Sequence, residues 1–291
     1  MNEYIRSDLA LENRLNKNSG EEVKLHREEI LDFATVNEIV FERSENNEGG
    51  RYVCVSKERL WQADGKEYQL ICDLIGRKIV DMAAETTGKK IDKKFCVLVA
   101  GLGNSDITAD AIGPLTIKNL TVTRHLREME PKIYSSLGFC EIAALSPGVL
   151  GQTGIETVEL IRGAVQNCTP DIVIVIDALA ARSCERLAAT VQISDAGIRP
   201  GSGIGNMRMA INTETLGVPV ISVGIPTVVN SSTLVYEALN RAGIKEYSQE
   251  LQEVLENGRS FFVTPKESDI ITKQLSLLLS DALSMAFTVK S

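Results

Sequence analysis

FCVLVAGLG at residues 95–103 and DIVIVID at residues 171–177 decide the fold. Each is a short, unbroken apolar run that stops at glycine or at an acid. A strand buried on both faces of a parallel sheet reads this way. ATVQIS (189–194) and VPVISVG (218–224) repeat the pattern. Helical segments lie between the runs, from the loop after residue 103 to about Glu130 and over residues 155–167, 231–243 and 267–287. Upstream, Leu70, Ile71, Leu74, Ile75, Ile79, Met82 and Ala83 recur at helical spacing within residues 67–86, the mark of an amphipathic helix. Alternating strands and helices predict an α/β protein with a mostly parallel sheet flanked by helices. Residues 34–43 and 51–56 read as two more strands, joined by a turn-like Asn/Glu/Gly stretch at 45–50. Residues 1–20 are polar and read as a loosely held extension.

With 291 residues, 44% of them hydrophobic and 24% charged, the chain can bury the core of one large α/β domain with insertions. A formal net charge of -8 opposes a direct grip on nucleic acid phosphates or an anionic membrane. Six cysteines are scattered with no C-x-x-C pair, which predicts buried, reduced thiols and a reducing compartment. The charged N-terminus has no apolar signal region, and residues 275–285 are interrupted by Ser280 and Asp281. The expectation is a soluble, intracellular protein.

In an open parallel sheet, function gathers outside the carboxyl ends of the strands. Asp177 closes the run DIVIVID, and Asp110 lies in the loop GLGNSDITADAIGP (101–114). That loop lacks the third glycine of a dinucleotide fingerprint, because Asp106 stands in its place and would repel a pyrophosphate. No G-x-x-x-x-G-K-[ST] and no G-x-S-x-G motif exists. Gly201, Gly203 and Gly205 fit a tight turn as well as a ligand loop. The two histidines, His26 and His125, make no H-E-x-x-H helix, and His125 reads as a surface or capping residue. A zinc site is short of ligands. A Cys–His pair stays open, although no cysteine occupies an obvious strand-to-helix turn.

Carboxylates remain: Asp106, Asp110, Asp177 and Asp195 all follow predicted strands. Two that approach closely cannot both ionise easily, so one becomes an acid and the other a base able to activate water. A helix starting near Asp110 favours its anionic form and hence the base role. Each also has a plain structural reading, Asp110 as a helix N-terminal residue and Asp177 as a turn former. Ser194-Asp195-Ala196-Gly197 only brushes the D-[ST]-G of pepsin-like proteases.

VLVAGLGNSDITADAIGPLTIKNLTVTRHL (97–126), VIVIDALAARSCERLAATVQISDAGIRPGSGIGN (173–206), LGVPVISVGIPTVV (216–229) and YIRSDLALE (4–12) resemble the germination proteases of spore-forming bacteria. The resemblance implies an endopeptidase, made as a self-processing zymogen, that degrades small acid-soluble spore proteins in the cytoplasm of the germinating spore core. It implies catalytic aspartates at Asp110 and Asp177, a homotetramer, no metal or other cofactor, no direct nucleic acid partner and no membrane partner. It implies a fold related to the hydrogenase maturation proteases. By the same resemblance, residues 1–8 are a short pro-segment before a single peptidase domain at 9–291. Autocleavage is then expected between Asp8 and Leu9, since substrates of the family are cut after an acidic residue followed by an aliphatic-Ala pair. A basic subsite for that acid has Arg124, Arg182, Arg199 and Arg208 as candidates. The competing readings are a nickel-dependent maturation endopeptidase and a nucleotide-binding regulatory module.

Overall fold

The six predicted strands pair, in the computed structural model, with three more into a nine-stranded sheet. The structure describes residues 7–13, 23–42, 49–201, 208–244, 247–257 and 261–289. The glycine loop expected at 201–205 falls mostly outside them, as do most of the 45–50 turn and parts of the N-terminal extension.

The strands are β1 (Val23–Ile30), β2 (Thr35–Phe41), β3 (Gly50–Ser56), β4 (Cys96–Gly101) and β5 (Glu141–Leu145). They continue with β6 (Ile172–Ala181), β7 (Thr190–Ser194), β8 (Val220–Asn230) and β9 (Phe262–Val263). The spatial order is β1-β2-β3-β7-β8-β6-β4-β5, with β9 beside β8. The sheet is mixed: β5, β4, β6 and β8 form a parallel block, and every other pairing is antiparallel.

The helices are α1 (Ala10–Asn13), α2 (Gly65–Thr87), α3 (Ile112–Asn119), α4 (Arg124–Met129), α5 (Pro131–Ser136) and α6 (Leu150–Thr153). Then come α7 (Thr157–Cys168), α8 (Thr213–Leu216), α9 (Ser231–Arg241), α10 (Gln249–Asn257) and α11 (Ser268–Ala286). On one face of the sheet, Ile71, Ile75 and Ile79 of α2 and Leu275, Leu279 and Leu283 of α11 pack on Ile174, Val191 and Val223. On the other face, Val158 and Ile161 of α7 cover Val173, Val175 and Leu98. Both faces of β6 are therefore apolar, which is why its sequence is a continuous run rather than an alternation. Among the described residues no helix is long and apolar enough to cross a membrane.

Four expectations need correction. Asp177 does not close its strand; β6 continues to Ala181, because β8 pairs with it as far as Val229 while β4 stops at Gly101. The single helix expected up to Glu130 is broken into α3 and α4, with the run Thr121-Val122-Thr123, poor in helix propensity, at the break, and α5 follows from Pro131. Thr123 is used instead to tie β5, donating to the Cys140 carbonyl at 2.7 Å and accepting from the Ile142 N–H at 2.9 Å. β1, β5 and β9 have no counterpart among the expected strands. Residues 7–13 are not loose: Leu9, Ala10 and Leu11 are buried, and the segment is docked on the sheet.

Candidate active site

Because β6 outlasts β4, its last residues protrude with one edge bare, and the chain leaving β4 folds over that edge. Leu102 N–H donates to the Ile176 carbonyl at 2.8 Å, after which the loop turns back to a short 3-10 turn at Thr108–Asp110. Gly103, at φ 111°, is needed there: a Cβ would sit 2.0 Å from the Asp110 carbonyl oxygen. Gly101 and Gly113 are likewise closed on each other's backbone, so these glycines serve chain-to-chain packing within the loop rather than a phosphate. Thr227 of β8 donates to the Ala109 carbonyl at 2.6 Å and Thr272 of α11 to that of Thr108 at 3.2 Å. These two hydroxyls pin the turn that presents Asp110.

Asp110 is half-buried and accepts from the Asn104 N–H at 2.7 Å. Burial raises its pKa above the ordinary carboxyl value, and that N–H opposes the rise. Asp177 is buried, on the face of β6 that carries Val173, Val175 and Leu179, and accepts from the Ala178 N–H at 2.9 Å. Burial drives its carboxyl well above the usual range. The charges of Asp110 and then Asp8 push it the same way. The structure thus brings Asp110, Asp177 and Asp8 into one electrostatic neighbourhood, with the Asp177 carboxyl the one that burial and both charges push furthest up. A carboxyl pair divided in this way has a proton donor and a proton acceptor at one place.

Asp106 and Asp195 do not join them. Asp106 is exposed on the loop, within 3.4 Å of the Gln152 side chain. Asp195 follows β7, which runs antiparallel to β8, so it lies toward the amino ends of β6 and β8. There it accepts from the Arg51 N–H at 2.8 Å and fastens the edge of β3. Burial pushes the thiols of Cys54, Cys72, Cys96 and Cys140 up to about 12, which leaves them poor nucleophiles at neutral pH. His125 is exposed on α4, and His26 bonds Asn37 on the far strands.

The N-terminal segment lies along the bare end of β6. Asp8 N–H donates to the Ala180 carbonyl at 2.9 Å, and Ala180 N–H donates to the Asp8 carboxylate at 2.8 Å. Leu9 is fully buried against Leu179, Ala181 and Val229, with Leu187, Ile198 and Leu234 around them. Glu12 accepts from the N–H groups of Arg182 and Ser183 at 2.7 and 2.9 Å. Two of the four arginines named for an acid-binding subsite point to other carboxylates: Arg182 pairs with Glu237, and Arg124 with Glu128 and Glu141. Gln192 of β7, which the sequence did not single out, donates to the Asp8 carbonyl and accepts from the Ala10 N–H. Its only signal was a polar residue amid the alternating apolar positions of ATVQIS.

The profile of the germination protease family matches residues 6–254. The chain is 37% identical to the germination protease of Caldanaerobacter subterraneus subsp. tengcongensis, over 97% of this chain and 94% of that one. It is 36% identical to the germination protease of Clostridium acetobutylicum over the same shares, and 40% identical to that of a Geobacillus species over 86% of this chain and 70% of the relative. Among solved structures, the [NiFe] hydrogenase maturation protease HycI from Thermococcus kodakarensis KOD1 is similar at 17% identity and a TM-score of 0.35, covering 65% of this chain and 93% of that one. A family match over most of the chain, with relatives matched nearly end to end, makes this chain a member of the germination protease family, peptidases of spore germination.

Proposed function

We propose that the chain is an endopeptidase of small acid-soluble spore proteins that works through Asp110 and Asp177 and first cuts its own Asp8–Leu9 bond. The observation that carries this reading is the docking of residues 7–12 beside the pair, close enough for the Asp8 charge to act on Asp177. Ionised Asp110 takes a proton from water, whose oxygen adds to the Asp8 carbonyl carbon. Protonated Asp177 supplies a proton to the departing Leu9 nitrogen as the C–N bond breaks. The products are a carboxylic acid and an amine, with no cofactor or metal in the step. Residues 1–8 act as the pro-segment and residues 9–291 as the mature enzyme, a homotetramer in the cytoplasm of the spore core. An acid before the cut is read by the Ala180 N–H, and an aliphatic residue after it by the pocket that holds Leu9.

Incubation of the purified protein with a small acid-soluble spore protein, followed by mapping of the cut sites, tests this. The expected result is cleavage after an acidic residue, absent from folded Asp110→Asn and Asp177→Asn proteins. Cleavage that persists in either folded variant overturns the pair.

A further inference from the structure

We infer that Gln192 grips the carbonyl of the bond to be cut: its side-chain amide donates to the Asp8 carbonyl oxygen at 3.0 Å and accepts from the Ala10 N–H at 2.8 Å. This rests on the reading that Asp8–Leu9 is the bond hydrolysed at the aspartate pair. A strand of this sheet has no need of a glutamine at that position. Val191 and Ile193, its neighbours in β7, point into the core on the opposite face. Gln192 is buried, with both ends of its amide turned to residues 8–10 of the docked segment.

The orientation of the amide follows from its partners. The Oε1 end receives the Ala10 N–H and also the Cys54 thiol at 3.7 Å, while the Nε2 end meets a carbonyl. A flipped amide would set N–H groups against two donors and an oxygen against an oxygen. The donor is therefore fixed toward the carbonyl before any chemistry starts.

As water adds to the Asp8 carbonyl carbon, the π electrons of the C=O bond move onto its oxygen, and the Nε2–H is already aimed at the charge that develops there. When that charge collapses to reform C=O, the C–N bond breaks and the Leu9 nitrogen leaves with a proton. A prearranged donor of this kind contributes about 10²–10³ in kcat. Its other end imposes a rule on substrates: the second residue after the cut must present an N–H. Proline or an N-methylated residue there removes it.

Full-length protein carrying Gln192→Met or Gln192→Glu is compared with wild type and Asp177→Asn. Processing is followed by intact mass and folding by thermal melting. A peptide copying residues 7–13, with and without an N-methyl group on the alanine that copies Ala10, is then given to the matured enzymes. For Gln192→Met the expected result is a kcat about 10²-fold lower with a smaller change in KM. For Gln192→Glu the rate recovers relative to wild type toward acid pH, where the protonated carboxyl again donates. The N-methylated peptide is expected to be cut at least tenfold more slowly by wild type. If the methionine variant fails to fold, the glutamate variant and the methylated peptide still decide. Wild type trimming itself to Leu9 while Asp177→Asn stays whole, together with a folded Gln192 variant of unchanged kcat, overturns this inference alone. A wild type that keeps residues 1–8 overturns the underlying reading as well.

Discussion

Gln192 and Asp177 stand on one row and one face of the sheet, two strands apart, with Gly224 between them on that row. At about 4.8 Å per strand their Cα atoms are roughly 10 Å apart. The glycine makes room on that row for the Leu179 side chain, which lies where a Cβ would stand. A Cβ at Gly224 would lie 2.6 Å from the side chain of Leu179, the residue that walls the Leu9 pocket.

Gly224→Ala therefore pushes Leu179 into the space held by Leu9. Overpacking of this kind destabilises by about 1–3 kcal/mol, and the displaced wall is expected to slow removal of residues 1–8 at least tenfold. Melting curves and intact mass over time check this. Wild-type processing in the variant would show that the pocket tolerates the shift and that the row does not govern access.

Asp177→Asn is expected to abolish cleavage and, at the same time, to raise stability near neutral pH. A carboxyl whose folded-state value is raised binds its proton more tightly in the folded chain than in the unfolded one. The stability it lends is complete below the unfolded carboxyl value of about 3.9 and is lost as pH rises toward the folded value, at up to ~1.4 kcal/mol per pH unit. The asparagine protein lacks that loss. Its melting temperature relative to wild type should climb as pH goes from about 4 to 7. Activity of wild type should fall at acid pH, as Asp110 takes up a proton, and at alkaline pH, as the pair loses its shared one. A pH-independent gap in melting temperature between the two proteins would mean that Asp177 titrates normally.

The parallel core was legible in the sequence, because unbroken apolar runs fit strands buried on both faces. Asp110 and Asp177 stood out as acids beside those runs, while their pairing in a reaction came from the family resemblance. Other features depended on partners that are remote in sequence. Whether β6 stops at Asp177 or runs on to Ala181 is set by the lengths of β4 and β8. Asp195 looked equivalent to Asp110 until the direction of β7 placed it at the opposite end of β8. Leu9-Ala10-Leu11 is too short an apolar group to announce burial within a polar terminus, yet it finishes two hydrophobic clusters. Gln192 acquires meaning only through the peptide it touches.

Chelation is expected to leave the cleavage rate unchanged. The chain has two histidines, and among the described residues no group of three or more His, Cys, Asp or Glu side chains is placed to hold a metal ion. A metal-templated water would lose its lowered pKa on chelation and the rate would collapse. Metal analysis of active enzyme, with turnover measured before and after a strong chelator, makes the comparison. A rate that falls and returns with one particular ion favours the nickel-dependent alternative.

Glu12, four residues beyond the Asp8–Leu9 bond, should govern how tightly the segment docks and not how fast it is cut. Its carboxylate is buried and satisfied by the N–H groups of Arg182 and Ser183, with the Ser7 hydroxyl also donating to it. Those two N–H groups lie just past the end of β6, several residues from Asp177, and they meet Glu12 equally before and during the reaction. Interactions of equal strength in both states alter KM and leave kcat alone. In Glu12→Gln one acceptor oxygen becomes an NH₂ that faces a backbone N–H, so at least one charge-assisted bond, about 1.5–3 kcal/mol, is lost. At 1.4 kcal/mol per factor of ten, a peptide copying residues 7–13 with glutamine in place of its glutamate should show KM raised about tenfold or more at unchanged kcat. The full-length Glu12→Gln protein should trim itself more slowly, because its segment is docked for a smaller fraction of the time. A fall in kcat at unchanged KM would contradict this and place Glu12 in the reaction itself. An unchanged KM at unchanged kcat would mean that Leu9 and the Ala180 contacts dock the segment without help from Glu12.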